Sequence, residues 1–220
     1  MGKWCMVRLG RSAILLLIVT VEVCAEEAPE YRTLPGNPSI RYRVVDPATI
    51  DRGHGVQEVA IITTRHGEIV MRFHPELAPK HVESFKKLAR DGFYDGTTFH
   101  RVIENFMIQG GDPNSRDADN RSAHGTGGPG YTIPAEFTDV SHKRGIVSAA
   151  RSSNPDSAGS QFFICVADAP WLDKQYSIFG EVVEGMDVVD RIVAEPRDRN
   201  DNPMERVEIR VRIESRDLGN

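Results

Sequence analysis

Apolar residues first fall into register at "EVAIITT" (Glu58 to Thr64), a β-branched run, and continue in "EIVMRF", where Ile69, Met71 and Phe73 alternate with Val70 and Arg72. Arg65, His66 and Gly67 separate the two runs as a short turn, so the pair predicts a β-hairpin. The period then changes. In "APKHVESFKKLARDG", Val82, Phe85, Leu88 and Ala89 share one helical face, Pro79 stands in the first turn, and Gly92 stands where a left-handed cap ends a helix. A second, shorter helix is predicted over Met186 to Ala194, where Val188, Val189, Ile192 and Val193 lie on one side. Strands are predicted in "QFFICVA", in "IFGEVV" and in "RVEIRVRIE", where Val207, Ile209, Val211 and Ile213 alternate with charged residues. Strands dominate, and the two helices lie near opposite ends of the patterned region. A mainly β fold, a closed or nearly closed barrel with helices over its ends, suits this order better than a βαβ repeat, which needs helices between successive strands.

Ahead of the first strand the pattern fails. From Glu26 to about Gly55 the chain is charged, carries Pro29, Pro35, Pro38 and Pro47 and shows no sustained periodicity, which predicts a linker or loosely docked arm. Residues 1–25 read as an export signal: Lys3, Arg8 and Arg11 are followed by the apolar "SAILLLIVTV" and then by Val23-Cys24-Ala25, which suits cleavage after Ala25. That apolar run is short for a membrane span. The weaker alternatives are an uncleaved anchor and lipidation at Cys24, for which Glu22 and Val23 make a poor lead-in. The expected organisation is therefore a signal peptide (1–25), an arm (26–57) and one domain (58–220), exported and periplasmic, with no stable membrane insertion after cleavage.

Composition agrees with one sizeable core: the 220 residues are 40% hydrophobic and 27% charged. Without the signal, 24 basic and 31 acidic side chains remain, a net charge of -7, which argues against a nucleic-acid footprint. Cys5 and Cys24 fall in the signal, so Cys165 is alone and no internal disulfide is expected; its apolar surroundings predict packing rather than reactivity.

Several motifs lead nowhere. "GTGGPG" (Gly125 to Gly130) matches the dinucleotide pattern letter for letter, but a polar loop precedes it and "YTIPAEF" follows, where a strand and a helix are required. The seven histidines have no metal-ligand spacing, and "AGSQF" lacks the second glycine of a serine-hydrolase elbow. No metal or cofactor is expected. The long stretch from Pro113 to Gly130, rich in Asn, Asp, Ser and Gly, predicts a functional rim or a mobile segment. What remains is one guanidinium among apolar and amide side chains. In "FHRVIENFMIQGGD", Arg101 has no acid nearer in sequence than Glu104, and burying it unpaired would cost several kcal/mol, so it is expected to face a cleft. Gln161, Phe162, Phe163, Trp171 and Leu172 form a second such group, in which neighbouring Phe162 and Phe163 must face opposite sides of a strand.

"FHRVIENFMIQGGD", "GTGGPGY", "GSQFFIC" and "WLD...FGEV", in this order and spacing, closely resemble the cyclophilins, peptidyl-prolyl cis/trans isomerases, from about Glu58 to Ile213; "AARSSNPDSAGSQFF" and Tyr176 resemble the bacterial exported branch. The resemblance implies a closed eight-stranded antiparallel β-barrel capped by two α-helices. It implies that Arg101 is the catalytic arginine, and that Gln109 orients it and touches the substrate backbone. Phe106, Met107, Phe163 and Leu172 would form the proline pocket, with His100, Ala150, Gln161, Trp171 and Tyr176 along the groove. The implied partners are proline-containing polypeptides and, through the tryptophan at 171, cyclosporin; a monomer is expected. Three positions depart from many eukaryotic members: Tyr176 replaces histidine, Arg151 replaces asparagine, and Glu104 replaces proline. The competing readings are a proline-peptide-binding chaperone module without relevant catalysis and, on "GTGGPG" alone, a nucleotide-dependent enzyme.

Overall fold

The computed structural model describes residues 28–50 and 55–219; the expected export signal lies outside them. Two antiparallel strands come first, β1 (Tyr31–Leu34) and β2 (Asn37–Arg43), joined at Pro35-Gly36. Gly36 has φ +84°, the left-handed value that the third residue of a type II turn requires after proline. This hairpin occupies the segment read from sequence as an arm without regular structure. It is docked: Ile40 and Tyr42 are buried with Phe137, the Arg43 N–H donates to the Phe137 carbonyl (2.8 Å), and the Asp139 N–H donates to the Arg43 carbonyl (3.1 Å).

The remaining strands are β3 (Val56–Thr64), β4 (Gly67–Phe73), β5 (Arg101–Ile103), β6 (Met107–Gly110), β7 (Ile146–Ala149), β8 (Phe162–Cys165), β9 (Ile178–Glu184) and β10 (Arg210–Asp217). They form one eight-stranded antiparallel sheet in the order β10-β3-β4-β9-β7-β8-β6-β5. Helices α1 (Pro79–Arg90) and α2 (Met186–Val193) match the predicted apolar stripes, with Val82, Phe85, Leu88 and Ala89 buried on the first and Val188, Val189, Ile192 and Val193 on the second. One face of the sheet holds the main core. Phe85 of α1 reaches into it, its ring 4.8 Å from Tyr94, 5.5 Å from Phe162 and 5.5 Å from Phe179.

The expected closed barrel is not formed. Strands β10 and β5 end the sheet order and share no ladder. An isolated bridge, Thr98 with Glu208, joins the segments just ahead of them, through Phe99 N–H to the Val207 carbonyl (3.0 Å) and Ile209 N–H to the Thr97 carbonyl (2.8 Å), beside a bond from Gly96 N–H to the Ile209 carbonyl (3.1 Å). The reason is local: β5 lasts three residues before the chain turns at Asn105 (φ 58°), and its Val102 N–H is taken by the Asp201 carbonyl at 2.8 Å. A loop rather than a strand thus covers this edge and satisfies its donor.

Candidate active site

Register places the site. Arg101 on β5 pairs with Gln109 on β6, Gln109 pairs with Phe163 on β8, and Phe163 pairs with Ser148 on β7. Their strand neighbours Val102, Ile108, Ile164 and Val147 fill the core, so alternation sends Arg101, Gln109, Phe163 and Ser148 to the opposite face as one cross-strand row. The same rule separates the two phenylalanines: Phe162 packs inside with Phe85 and Tyr94, and Phe163 faces out.

Two adjoining cavities open along this row. The smaller, about 180 Å³, is walled by Arg101, Phe106, Met107, Phe163, Leu172 and Tyr176. The larger, about 320 Å³, lies beside it over "GTGGPG", with Tyr131, Ser157 and Gln161 on its walls. Gln109, Ala150 and Arg151 border both. The smaller cavity therefore joins an apolar lining to one guanidinium, and Arg101 keeps 44% of its side-chain surface exposed. The larger is held open by amides: Gln109 Nε2 donates to Gln161 Oε1 (2.9 Å), and Gln161 Nε2 donates to the carbonyls of Gly125 (3.0 Å) and Gly127 (2.8 Å). The glycine motif thus serves as a carbonyl-lined wall.

The structure gathers most of the expected residues here, with two differences of place. His100, the strand neighbour of Arg101, is buried and borders neither cavity; both its ring nitrogens are unpartnered, and burial drives its pKa down to about 4 even though Asp112 pulls it up. Trp171 stands at the rim, 58% exposed, with its ring 5.6 Å from Phe106. The amide of Gln109 bonds Gln161 rather than Arg101, whose nearest carboxylate is Asp201 at 3.9 Å.

A family model for cyclophilin type peptidyl-prolyl cis-trans isomerases matches residues 59–213. The chain belongs to this family. It is 46% identical over 140 residues to a probable peptidyl-prolyl cis-trans isomerase of Brucella abortus, a stretch covering 62% of this chain and 71% of that protein. It is 41% identical over 157 residues to peptidyl-prolyl cis-trans isomerase 9 of Schizosaccharomyces pombe, which covers 69% of this chain and 24% of the relative. Among solved structures, a Cryptosporidium parvum cyclophilin crystallised in the presence of the dipeptide Ala-Pro has a TM-score of 0.65 and 31% identity, covering 72% of this chain and 99% of that one. The protein is accordingly an enzyme, a peptidyl-prolyl cis-trans isomerase.

In this cyclophilin the row of side chains rests on groups that sequence reading did not place in the site. His142, one of the scattered histidines, is buried and lies flat beneath Phe163, its ring fixed by Asp173 Oδ1 on Nδ1 (3.1 Å) and Ser148 Oγ on Nε2 (3.0 Å). Burial lowers its pKa although Asp173 opposes the shift, which favours the neutral ring. Asp201, 100 positions from Arg101 in the chain, had no local signal at all. Cys165 is fully buried behind Met107, and burial pushes its thiol up to about 12. Among the described residues, no group of His, Cys, Asp and Glu could hold a metal ion.

Proposed function

We propose that this cyclophilin speeds rotation about X-Pro bonds of exported polypeptides, with Arg101 acting on the reacting amide and the 180 Å³ cavity holding the proline ring. The observation that carries this reading is the joining of one solvent-accessible guanidinium to a wall of Phe106, Met107, Phe163 and Leu172. Amide resonance sets a barrier of about 18–20 kcal/mol, and the planar isomers differ by only about 0.5–1 kcal/mol. As the bond twists, the prolyl nitrogen lone pair leaves conjugation and accepts a hydrogen bond better than in either planar state. A donor placed there stabilises the twisted state selectively, which is what lowers a barrier. The apolar wall fixes the pyrrolidine ring while the other side of the bond turns, and Gln109 and Gln161 offer amides to the peptide backbone. No nucleophile or cofactor takes part in this scheme.

The proline ligand is supported by the Ala-Pro dipeptide named with the Cryptosporidium relative. Export to the periplasm is supported by the basic start and apolar run of residues 1–25, and a role in folding follows from clients that arrive unfolded. Cyclosporin is a further ligand on this reading, docking against exposed Trp171. A monomer suffices, because one copy supplies every wall of both cavities. The test is a proline-isomerisation assay on wild type and Arg101→Ala. Unchanged turnover in the variant would remove Arg101 from this role, and peptide binding without acceleration by wild type would favour a non-catalytic chaperone module.

A further inference from the structure

Arg151 follows β7 and borders both cavities. Its guanidinium is fastened by neutral groups: Nε donates to the Gln175 carbonyl (3.0 Å), Nη1 donates to the Ser152 carbonyl (2.8 Å), and the plane lies 4.7 Å from the Tyr176 ring centroid and 5.7 Å from that of Phe137. Among the described residues no carboxylate pairs with it, whereas Arg144, by contrast, is held bidentately by Asp190 at 2.8 and 2.7 Å. Its Nη2 donors have no protein acceptor among the described residues. Neither cavity has an acidic residue on its walls, and the charged side chains there are Arg151 and, in the smaller one, Arg101. A half-buried cation anchored by backbone and rings, with a free donor edge, is preorganised for a planar anion.

We infer that Arg151 is a specificity-determining residue, selecting proline segments that carry a carboxylate side chain on the flank entering the larger cavity. The inference rests on the proposed isomerase reading and names its substrate class. A glutamate or aspartate there gains a charge-assisted bond to Nη2, while a lysine meets the Arg151 guanidinium and no acid on the walls, with Arg101 in the adjoining cavity, so the site both attracts one charge and repels the other. The rings of Tyr176 and Phe137 keep the guanidinium flat, so this selection costs little ordering on binding.

The test uses peptides of one sequence that differ only by Glu, Gln or Lys at a single residue flanking the X-Pro pair, placed in turn before and after it. Affinity is read by calorimetry and turnover by kcat/KM. At one flank, Glu is expected to exceed Gln by about threefold to tenfold, with Lys below both and the Glu advantage shrinking as salt rises. Arg151→Gln brings the Glu to Gln ratio to about one, Arg151→Lys keeps part of it, and Arg151→Glu inverts the order of Glu and Lys. A wild-type ratio of one at every position, or a ratio that survives in Arg151→Gln, overturns the inference. Charge-selective affinity without any acceleration would instead count against the isomerase reading alone.

Discussion

Phe163 lies almost parallel to buried His142, their ring centroids 6.3 Å apart and their planes 19° from coplanar orientation. The wall proposed to grip proline is thus backed by a polar ring whose two nitrogens are both engaged, by Asp173 and Ser148. Replacing it with alanine leaves a void under Phe163 and two buried partners unmatched. His142→Ala is expected to cost about 2–4 kcal/mol of stability, read by denaturant unfolding. In the folded fraction, KM should rise more than kcat falls, because the pocket loosens while Arg101 stays in place.

Arg101 separates rate from stability. It is 44% exposed, and its nearest carboxylate, Asp201, is 3.9 Å away. Arg101→Ala should therefore change unfolding free energy by no more than about 0.5 kcal/mol. If it is the donor to the twisted amide, kcat/KM falls by about 10²–10³ in the same protein. A loss of both together would indicate misfolding rather than removal of a catalytic group.

Two histidines tilt stability in opposite directions with pH. Burial pushes His74 down, but the carboxylates of Glu181, 3.8 Å from Nε2, and Glu76, hydrogen-bonded at Nδ1 (2.8 Å), outweigh it and raise its pKa to about 9. Its contribution is complete below its unfolded value near 6.5 and is lost as pH climbs through 9, on the order of 3 kcal/mol in all. His100 is held down at about 4, so the unfolded chain takes up its proton first, and stability drains away as pH falls from about 6.5 towards 4. His142, lowered in the same direction, adds to that acid limb. Unfolding measured across this range should peak near pH 6.5, and His74→Gln should flatten the alkaline limb while leaving the acid one.

Gly111, the second glycine after Gln109, adopts φ +84°, and a Cβ there would lie 2.5 Å from the Ser160 carbonyl oxygen and 3.0 Å from Phe162 Cδ1. Both obstacles are fixed, one as backbone and the other as a core ring. Gly111→Ala is expected to destabilise by at least about 2 kcal/mol, seen as a lowered denaturant midpoint with an unchanged m-value.

Trp171 offers a test of the inhibitor. Its ring is mostly exposed and touches Phe106 at the rim, outside both cavities. On the proposed reading, Trp171→Ala weakens inhibition by cyclosporin about tenfold or more, while turnover of a short proline peptide changes much less. Equal inhibition of the two proteins would dissociate cyclosporin from this residue.

Strand alternation carried most of the site into view. Once "FFIC" is read as a strand, Phe162 and Phe163 must part, and the row Arg101, Gln109, Phe163 follows from pairing of β5, β6 and β8. Helix α1 was equally plain, because four apolar residues at helical spacing lie between a proline and a glycine. Partners distant in the chain left no such trace. Asp201 reaches β5 from a loop, and His142 looks in sequence like any isolated histidine. The β1–β2 hairpin was missed because only Ile40 and Tyr42 alternate inward, and the Pro35-Gly36 turn signal was absorbed into a proline-rich background. Barrel closure depended on a three-residue strand and a covering loop, which no periodicity can report.

The docked hairpin extends the enzyme beyond its family boundary. The family match begins at residue 59, yet Ile40 and Tyr42 lie against Phe137, Phe137 lies beneath Arg151, and Arg151 lies on Tyr176 in the smaller cavity. Lys174 closes the same stack from the other side, its ammonium 5.0 Å from the Tyr42 ring centroid. The stretch of chain ahead of the family match therefore works as a splint for one cavity wall. A domain trimmed to residue 59 would keep every lining side chain and Phe137 itself but lose the packing of Ile40 and Tyr42 behind that ring, so, on the specificity role inferred for Arg151, changes in the leading segment retune substrate choice without touching Arg101, Gln109 or Phe163.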